Sequence, residues 1–363
     1  MRVAPATPVH DASLRALSRA AVQPGWVRLR FDCEPSFFDA AAVQGFETEV
    51  VAAFEGETVR GVGCRSLRRV YLDGRPTVFG YLGGLRIDPA FRSGTLLGRG
   101  FRWLRERHGD GRTPGYLTAI VERNRAARDL LIADRPLLPR YLPLGRYTVY
   151  AMPARRRPAR RTRERQIRSG ADIGLDALLA FLAAEGSRKP FFPVIEPTDF
   201  GRPLLRGLRL EDFRVAVDGA GIAGAVAAWD QTAFRQTVIE GYAPWAARLR
   251  PVANAVLART GFPTLPPPGS TLRIASLAFL CTRGNAPDIA ADLLAAVREE
   301  RGGDGPDLYG LGLHADDALN AALAGVRAWR YGSRLYVACW DDTIAACRRW
   351  ASGQAPHVEL AMM

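Results

Sequence analysis

The stretch from Gly80 to Arg105 holds the residues best suited to bind an anion. It reads as a strand, then a loop with Arg92, Gly94 and Gly98, then a helix. The first turn of a helix carries backbone N–H groups without intrahelical partners, and the helix dipole makes that end electropositive. A glycine-bearing loop that runs into such a helix therefore attracts phosphate, and Arg92 adds positive charge at its mouth.

Two common phosphate-binding motifs are excluded for this stretch. No Gly-Lys-Ser/Thr follows the glycines, so the loop is not a P-loop. The segments upstream predict antiparallel hairpins instead of a βαβ start, which argues against a dinucleotide-binding fingerprint.

A second apolar strand, 116–121, is followed by Asn124-Arg-Ala-Ala127-Arg-Asp-Leu130. The order of strand, loop, helix, strand and asparagine-led helix resembles the GNAT superfamily of N-acyltransferases. Their motifs are a D-P-x-x-R-G-x-G-x-G-like loop and an N-x-x-A-x-x-L helix. The resemblance covers residues 3–152 and, more loosely, 172–340. It implies an α/β fold with a central mixed sheet flanked by helices, present here as two modules in tandem.

The resemblance also implies a co-substrate, acetyl-CoA or a longer acyl-CoA, and no metal. In the family the loop holds the CoA pyrophosphate, the pantetheine arm hydrogen-bonds along the first apolar strand, and the asparagine faces the same arm. Carried over residue by residue, CoA would contact Leu85, Arg86, Ile87, Arg92, Ser93, Gly94, Thr95, Leu96, Leu97, Gly98, Asn124 and Ala127.

Two departures from the family pattern bear on activity. The glycines after Arg92 fall at Gly94, Gly98 and Gly100, which breaks the usual spacing, so which amides meet phosphate is open. The family's frequent tyrosine acid is absent, and Leu131 stands in its place. These departures keep a catalytically silent protein that binds a ligand or partner as an alternative.

Amine acylation needs a base for the ammonium, donors for the thioester oxyanion and an acid for the departing thiolate. Glu122, at the end of the second apolar strand, is the best-placed base, with an ordinary exposed acid as the other interpretation. Glu34 is a further catalytic candidate that could line the acceptor site. The backbone N–H groups of 85–87 are the natural oxyanion donors. The available acids are Tyr81, Tyr116 and Tyr141.

The elements that would position these groups follow from periodicity and turn residues. Asp11 is expected to cap a helix to about Ala21, because apolar residues recur there at helical spacing. Strands are expected at 47–54 and 58–65. A hairpin turns at Asp73 and Gly74, and a last strand covers 146–152.

The C-terminal half repeats this order with an offset of roughly 190 residues, which indicates duplication. Its counterpart loop is poorer: it has one glycine, Pro287 removes a donor amide, and Asp317 replaces the asparagine. Arg283 and Asn285 could still hold an anion, but a scaffold role is favoured. His314, at the end of a central strand, is either an acid/base group or a satisfied buried histidine.

The Arg-rich segment 153–170 marks the expected boundary. It divides a catalytic domain (1–152) from a degenerate one (171–345), with a tail at 346–363. Eight arginines between Pro153 and Arg168 face one acid, and so supply +7 of the +13 net charge. Of the 50 basic residues only Lys189 is lysine, which points to coding bias. Nucleic-acid binding is the least favoured alternative, and a solvated linker explains the segment.

Composition limits the remaining classes. The apolar stretches are too short to span a membrane and no signal peptide is evident, so a cytoplasmic protein is expected. The five cysteines show neither C-x-x-C pairs nor metal spacing. The expected function is acyl transfer from acyl-CoA to a small-molecule or peptide amine. A donor longer than acetyl would have apolar lining available from Phe37, Phe38, Phe79, Leu82, Phe191, Phe192 and Trp245. The other interpretation, which is slightly favoured, is that these side chains are core between the two domains.

Overall fold

The computed structural model describes residues 1–92, 95–133, 135, 138–154, 165–260, 263–299, 305–351 and 353–363. The strands in this part are β1 (Arg2–Pro5), β2 (Val27–Asp32), β3 (Glu47–Glu55), β4 (Thr58–Leu72), β5 (Arg75–Ile87), β6 (Tyr116–Val121), β7 (Arg140–Pro153), β8 (Gln166–Ser169), β9 (Phe213–Asp218), β10 (Gly221–Asp230), β11 (Gln236–Tyr242), β12 (Ile274–Thr282), β13 (Leu308–His314) and β14 (Trp329–Cys339).

The α-helices are α1 (Asp11–Ala20), α2 (Phe37–Ala42), α3 (Leu96–His108), α4 (Arg125–Leu131), α5 (Gly170–Ile173), α6 (Leu175–Gly186), α7 (Pro244–Thr260), α8 (Pro287–Glu299) and α9 (Ile344–Ala351). None of the helices in the described ranges is both long and apolar enough to cross a membrane.

Local signals set several of these boundaries. Asp73 and Gly74 both have positive φ (51° and 76°), as the tight turn between β4 and β5 requires. The Ser36 hydroxyl accepts from the N–H groups of Phe38 and Asp39 and so caps α2. The prediction that Asp11 caps α1 was wrong. Asp11 is the first residue of the helix itself, and its carboxylate accepts from the N–H of Phe37.

Twelve strands form one continuous mixed sheet in the order β1-β3-β4-β5-β6-β14-β7-β13-β12-β10-β9-β8. The last strand of each half lies beside the other half: β14 pairs with β6, and β7 pairs with β13. Together with the β14–β7 ladder, this exchange joins the halves by backbone hydrogen bonds. If the two halves were separated at the predicted linker, each would therefore lose the strand that the other half places between two of its own strands. Of that linker, residues 155–164 lie outside the described part of the chain.

The two halves repeat one arrangement around a parallel strand pair. The pairs are β5–β6, connected by α3, and β12–β13, connected by α8. A residue with left-handed backbone interrupts the first strand of each pair: Gly84 (φ 66°) in β5 and Phe279 (φ 57°) in β12. The predicted fold class, a mixed α/β sheet flanked by helices, is confirmed.

The core lies on both faces of the sheet. On the α3 face, Phe101, Leu104 and Ile120 pack together. On the other face, Phe79, Tyr81 and Leu117 pack with residues of β14 and with Val358. Segment 357–363, expected to be part of a tail, is core: Val358, Ala361 and Met362 are each at most 3% exposed.

A second, two-stranded sheet was not predicted from the sequence. Here β2, from the first half, pairs antiparallel with β11, from the second. Helix α7 packs on this pair through Ala246, beside Ile239 and Tyr242. The pair is a further connection between the halves.

Candidate active site

The central feature of the first half is an opening between β5 and β6. The parallel ladder comprises only Gly80↔Tyr116 and Tyr81↔Leu117. Beyond it the Thr118 hydroxyl donates to the Leu82 carbonyl at 3.0 Å. The left-handed Gly84 then bends β5, and the β4–β5 register shifts at the same place. The β6-facing edge of β5 from Leu85 to Ile87 has no partner strand among the described residues, and Leu85 is 50% exposed.

The loop that follows β5 is fixed at its start. Asp88 accepts from the N–H of Ala90 at 3.1 Å and from Arg60 at 3.1 Å. The Arg60 guanidinium also lies 5.0 Å from the centroid of the Phe91 ring. Arg92 is exposed, and its Nε donates to the Ile87 carbonyl at 3.2 Å, which keeps the positive charge at the end of β5. Ser93 and Gly94, two of the predicted CoA contacts, lie outside the described residues.

Helix α3 begins at this loop with a terminus open to an anion. Among the described residues, Thr95 makes no side-chain capping bond and the first turn contains no acidic residue. The N–H groups of Leu96, Leu97 and Gly98 belong to that turn, so they lack helical acceptors. The positive end of the helix dipole therefore points into a site with Arg92 at its mouth.

The corresponding loop of the second half is already occupied by acidic side chains. The Gly284 N–H donates to the Glu185 carboxylate at 3.0 Å. Arg283 forms an ion pair with Asp218 at 3.0 Å. Asn285 donates to Asp317 at 3.2 Å.

Helix α8 of the second half also starts differently from α3. Its first residue, Pro287, has no N–H to donate. Asp288, the next residue, is paired with Arg165 at 2.5 Å. The donors that could meet a phosphate are therefore satisfied internally, and acidic residues surround them.

Glu122, the predicted base, lies at the open end of β6. Its carboxylate forms an ion pair with Arg146, with N–O distances of 3.0 and 3.1 Å. It is packed so closely on Gly332 that a Cβ there would lie 2.3 Å from Oε2. Since Ile120 faces the α3 side, Glu122, two residues later, faces that side as well. This position is at the opening, and the carboxylate already has a partner.

Glu34 and Tyr141 are both engaged by other side chains. Glu34 forms ion pairs with Arg15 and Arg19 of α1. Tyr141 packs edge-on against Tyr336 with ring centroids 5.9 Å apart. Its register partner on β14, Ala338, is also that of Tyr116, which places Tyr141 at the closed end of the β5–β6 pair. Burial raises the pKa of the Tyr141 phenol.

Tyr81 is the candidate acid nearest the opening. It is the last β5 residue paired with β6, and its ring lies 3.6 Å from the guanidinium carbon of Arg68. Burial raises the pKa of this phenol, while Arg68 acts in the opposite direction. Tyr116 is engaged elsewhere, since its hydroxyl accepts from Arg65 at 3.0 Å and lies 3.3 Å from His108.

Asn124 has a structural role that the sequence motif did not reveal. Its side-chain oxygen accepts from the Ala127 N–H at 3.2 Å and caps α4. The side chain is exposed, so its amide NH₂ faces solvent near the end of β6. The two motif residues are thus brought together, and the bond between them stabilises the start of the helix.

A polar cluster on the face opposite α3 was missed by sequence reasoning. Arg235 donates to the Ala361 carbonyl at 3.0 Å, and Arg68 donates to the Gln44 carbonyl at 2.5 Å. The Glu359 carboxylate accepts from the N–H of Phe279 at 2.7 Å, at the β12 irregularity. These pairs lie 24 to 126 positions apart in the chain, so they leave no local signal in the sequence.

The Arg86 guanidinium and the Cys64 thiol lie beside the bend of β5. A Cβ at Gly84 would lie 3.9 Å from Nη1 of Arg86 and 3.4 Å from Sγ of Cys64. Burial raises the pKa of the Cys64 thiol to about 12, with Arg86 acting in the opposite direction. Cys64 is therefore a neutral thiol at physiological pH. Arg86, a predicted CoA contact, lies at this bend.

The aromatic residues expected to line one acyl pocket are dispersed. Phe79 and Phe191 meet edge-on at 5.1 Å. Phe37 and Phe38 pack with α1, and Leu82 packs on the α3 face. Phe192 belongs to the core of the second half, and Trp245 is 59% exposed. The expectation of a single pocket was wrong because these side chains face different layers.

Solved structures share this fold, although no family model and no curated protein sequence matches the chain. Saccharomyces cerevisiae N-myristoyltransferase with bound myristoyl-CoA aligns with a TM-score of 0.59 and 11% identity, over 93% of this chain and 78% of that chain. Another structure of that enzyme with myristoyl-CoA aligns with a TM-score of 0.58 and 11% identity, over 93% of this chain and 82% of that chain. A probable N-acyltransferase of unknown function from Enterococcus faecalis V583 aligns with a TM-score of 0.50 and 9% identity, over 92% of this chain and 71% of that chain. At these identities the likeness shows the fold alone: the chain shares the fold of N-myristoyltransferase.

Proposed function

We propose that the protein is an N-acyltransferase that uses acyl-CoA at the β5–β6 opening and acylates a primary amine. The observation that carries the proposal is the sequence of features at one place: a strand pair that separates, a bend at Gly84, and an uncapped, acid-free helix terminus beside Arg92. A neighbour of the same fold holds myristoyl-CoA, which supports an acyl-CoA as the ligand.

CoA would lie along the opening in an extended form. The pyrophosphate would meet the first turn of α3 and Arg92, where N–H donors and positive charge coincide. The pantetheine amides would pair with the free edge of Leu85–Ile87, as an added strand does. The thioester would then reach the bend of β5, where backbone N–H groups can stabilise the oxyanion.

The reaction would be a direct transfer within a ternary complex. The neutral amine attacks the thioester carbonyl, the C–S bond breaks, and the nitrogen loses a proton as the thiolate gains one. We assign the base to Glu122 and the acid to Tyr81. They lie on opposite faces of the sheet, so each would serve a different proton. Arg146 would hold the Glu122 carboxylate in place at the end of β6.

We extend the proposal to a donor longer than acetyl, based on the myristoyl-CoA of the neighbour. Each methylene buried on binding contributes about 0.8 kcal/mol, so a matched chain of several carbons would bind orders of magnitude more tightly. Parallel titrations with acetyl-, octanoyl- and palmitoyl-CoA measure this. If acetyl-CoA bound as tightly as the longer acyl-CoAs or more tightly, the long-chain donor would be refuted and an ordinary acetyltransferase would be indicated.

Two measurements on the purified protein test the proposal. The first is the melting temperature with CoA and acyl-CoAs, which should rise because a ligand that binds the folded state stabilises it. The second is release of free CoA thiol with a set of polyamines, amino sugars and peptide amines. No rise with any CoA would refute the site. Binding without amine-dependent thiol release would favour the silent, ligand-binding alternative.

A further inference from the structure

Helix α7 exposes a row of large apolar side chains. Trp245, Leu249, Val252 and Val256 are between 55% and 66% exposed. Their spacing of four, three and four residues places them on one face of the helix, so we call them the α7 stripe. Single exposed apolar residues are common on proteins, but a contiguous row marks an interaction surface.

The opposite face of α7 is fixed to the protein. Ala246 packs on Ile239 and Tyr242 of β11. The Asn254 side chain both donates to and accepts from the backbone of Leu265, at 3.1 and 2.7 Å. The helix is thus held with its stripe outward. The exposed ring of Trp26 extends the stripe, with its centroid 6.4 Å from that of Trp245.

The charged side chains of α7 all have one sign. Arg248 and Arg259 are exposed, and helical geometry places both along the same edge of the stripe, next to Val252. In the sequence no acidic residue occurs between Glu240 and Asp288. An apolar row bordered by arginines is the pattern of a helix that lies in a membrane interface, with apolar side chains among acyl chains and arginines at anionic headgroups.

We propose that the α7 stripe docks the protein onto an anionic lipid surface. A second copy of the chain fits less well, because two stripes facing each other would also bring their arginines together without acids to compensate. The proposal does not depend on acyl transfer, since α7 contributes none of the residues assigned to CoA or to catalysis.

Flotation with lipid vesicles tests the proposal on the full chain. Vesicles of phosphatidylcholine alone are compared with vesicles in which phosphatidylglycerol replaces about a third of the lipid. We expect binding to the anionic vesicles, weakened several-fold when salt rises from about 0.1 M to about 0.5 M. Leu249→Glu and Val252→Glu should each lower the partition coefficient about tenfold.

Two further variants make the test specific. Val9→Glu changes a residue that is 84% exposed on another surface and should bind vesicles like the unchanged protein. Arg248→Glu should weaken binding to anionic vesicles more than any residual binding to neutral ones. The proposal would be overturned if Val9→Glu lowered vesicle binding as much as Leu249→Glu and Val252→Glu do. A dimer in sedimentation that Leu249→Glu dissociates would overturn it too, if no vesicle binding accompanies it.

Discussion

The two halves share a strand pair, a loop and a crossover helix, yet their loops differ in charge. In the first half Thr95 leaves the start of α3 uncapped, with Arg92 beside it. In the second half the Gly284 N–H is bonded to Glu185, and Arg283 is neutralised by Asp218. The same backbone arrangement therefore presents an uncapped helix start beside an arginine in one half and a closed polar network in the other.

This difference shows that the fold by itself does not determine where a phosphate binds. The helix dipole is present at both α3 and α8, but its effect on a ligand depends on whether nearby carboxylates already satisfy the donors. Acids within the second loop also repel a phosphate. A substitution that adds or removes one carboxylate should therefore change the phosphate affinity of a loop more than a substitution that changes only the shape of the loop.

The largest effect is expected from Gly98→Asp, which places a carboxylate in the first turn of α3. CoA affinity should fall about a hundredfold, equivalent to roughly 2.7 kcal/mol, because the carboxylate repels the pyrophosphate and competes for the amides. The free energy of unfolding should not fall, since an acid in the first turn favours the helix. Calorimetric titration with CoA measures the first effect and chemical denaturation the second.

Arg92→Glu and Arg283→Glu are the matched pair for that measurement. Arg92→Glu should also abolish most CoA binding. Arg283→Glu should lower the free energy of unfolding, because it breaks the ion pair with Asp218, but it should leave CoA affinity nearly unchanged. If Arg283→Glu lost binding and Arg92→Glu retained it, the site would belong to the second half.

A smaller effect is expected at the ends of the central strands. Glu122→Gln should lower the rate of acyl transfer about ten- to a hundredfold with little change in CoA affinity, as removal of a base does. His314 ends the corresponding strand β13. Its Nε2 lies 2.9 Å from the Leu144 carbonyl, and its Nδ1 accepts from the Asp316 N–H. His314→Gln is therefore the control and should keep the rate. An unchanged rate in Glu122→Gln would show that Glu122 is only the partner of Arg146.

Glu185→Ala tests the closed loop directly. Loss of the acceptor for the Gly284 N–H should lower the free energy of unfolding by about 1–3 kcal/mol, because a donor in a partly buried site is left unsatisfied. CoA binding should not appear at this loop, since Asp218, Asp288 and Asp317 remain. Denaturant melts and a CoA titration of the Gly98→Asp/Glu185→Ala double variant check both points. New CoA binding in that variant would mean that a single carboxylate keeps the second site closed.

The smallest effect concerns the cap of α4. Asn124→Ala should cost about 1 kcal/mol of stability, whereas Asn124→Ser keeps an oxygen that can accept from Ala127 without adding a charge and should retain the stability. The same pair separates capping from ligand contact. If Asn124 only caps, CoA affinity will be the same in the Ser variant and the unchanged protein. A clear loss of CoA affinity in the Ser variant, with its stability retained, would indicate that the amide group contacts CoA.

The sequence by itself determined the features that depend on neighbouring residues. The turn at Asp73 and Gly74 and the strand Tyr116–Val121 both lie where local patterns placed them. The order of strand, loop and helix around Arg92 also followed from the sequence, because backbone propensity and apolar periodicity act over a few residues. Together with the resemblance that these motifs carry, they predicted the mixed α/β fold, whereas the CoA site at the opening stays a prediction.

Only the tertiary structure decided the features that join distant segments. The insertion of β14 between β6 and β7, the β2–β11 pair and the bond from Phe279 to Glu359 connect residues 80 to about 220 positions apart. Likewise, Tyr81 lies in β5 and Glu122 directly follows β6, but only the packing of the core shows that they face opposite sides of the sheet. Such pairings depend on which surfaces bury one another, and that choice leaves no periodic trace in either segment.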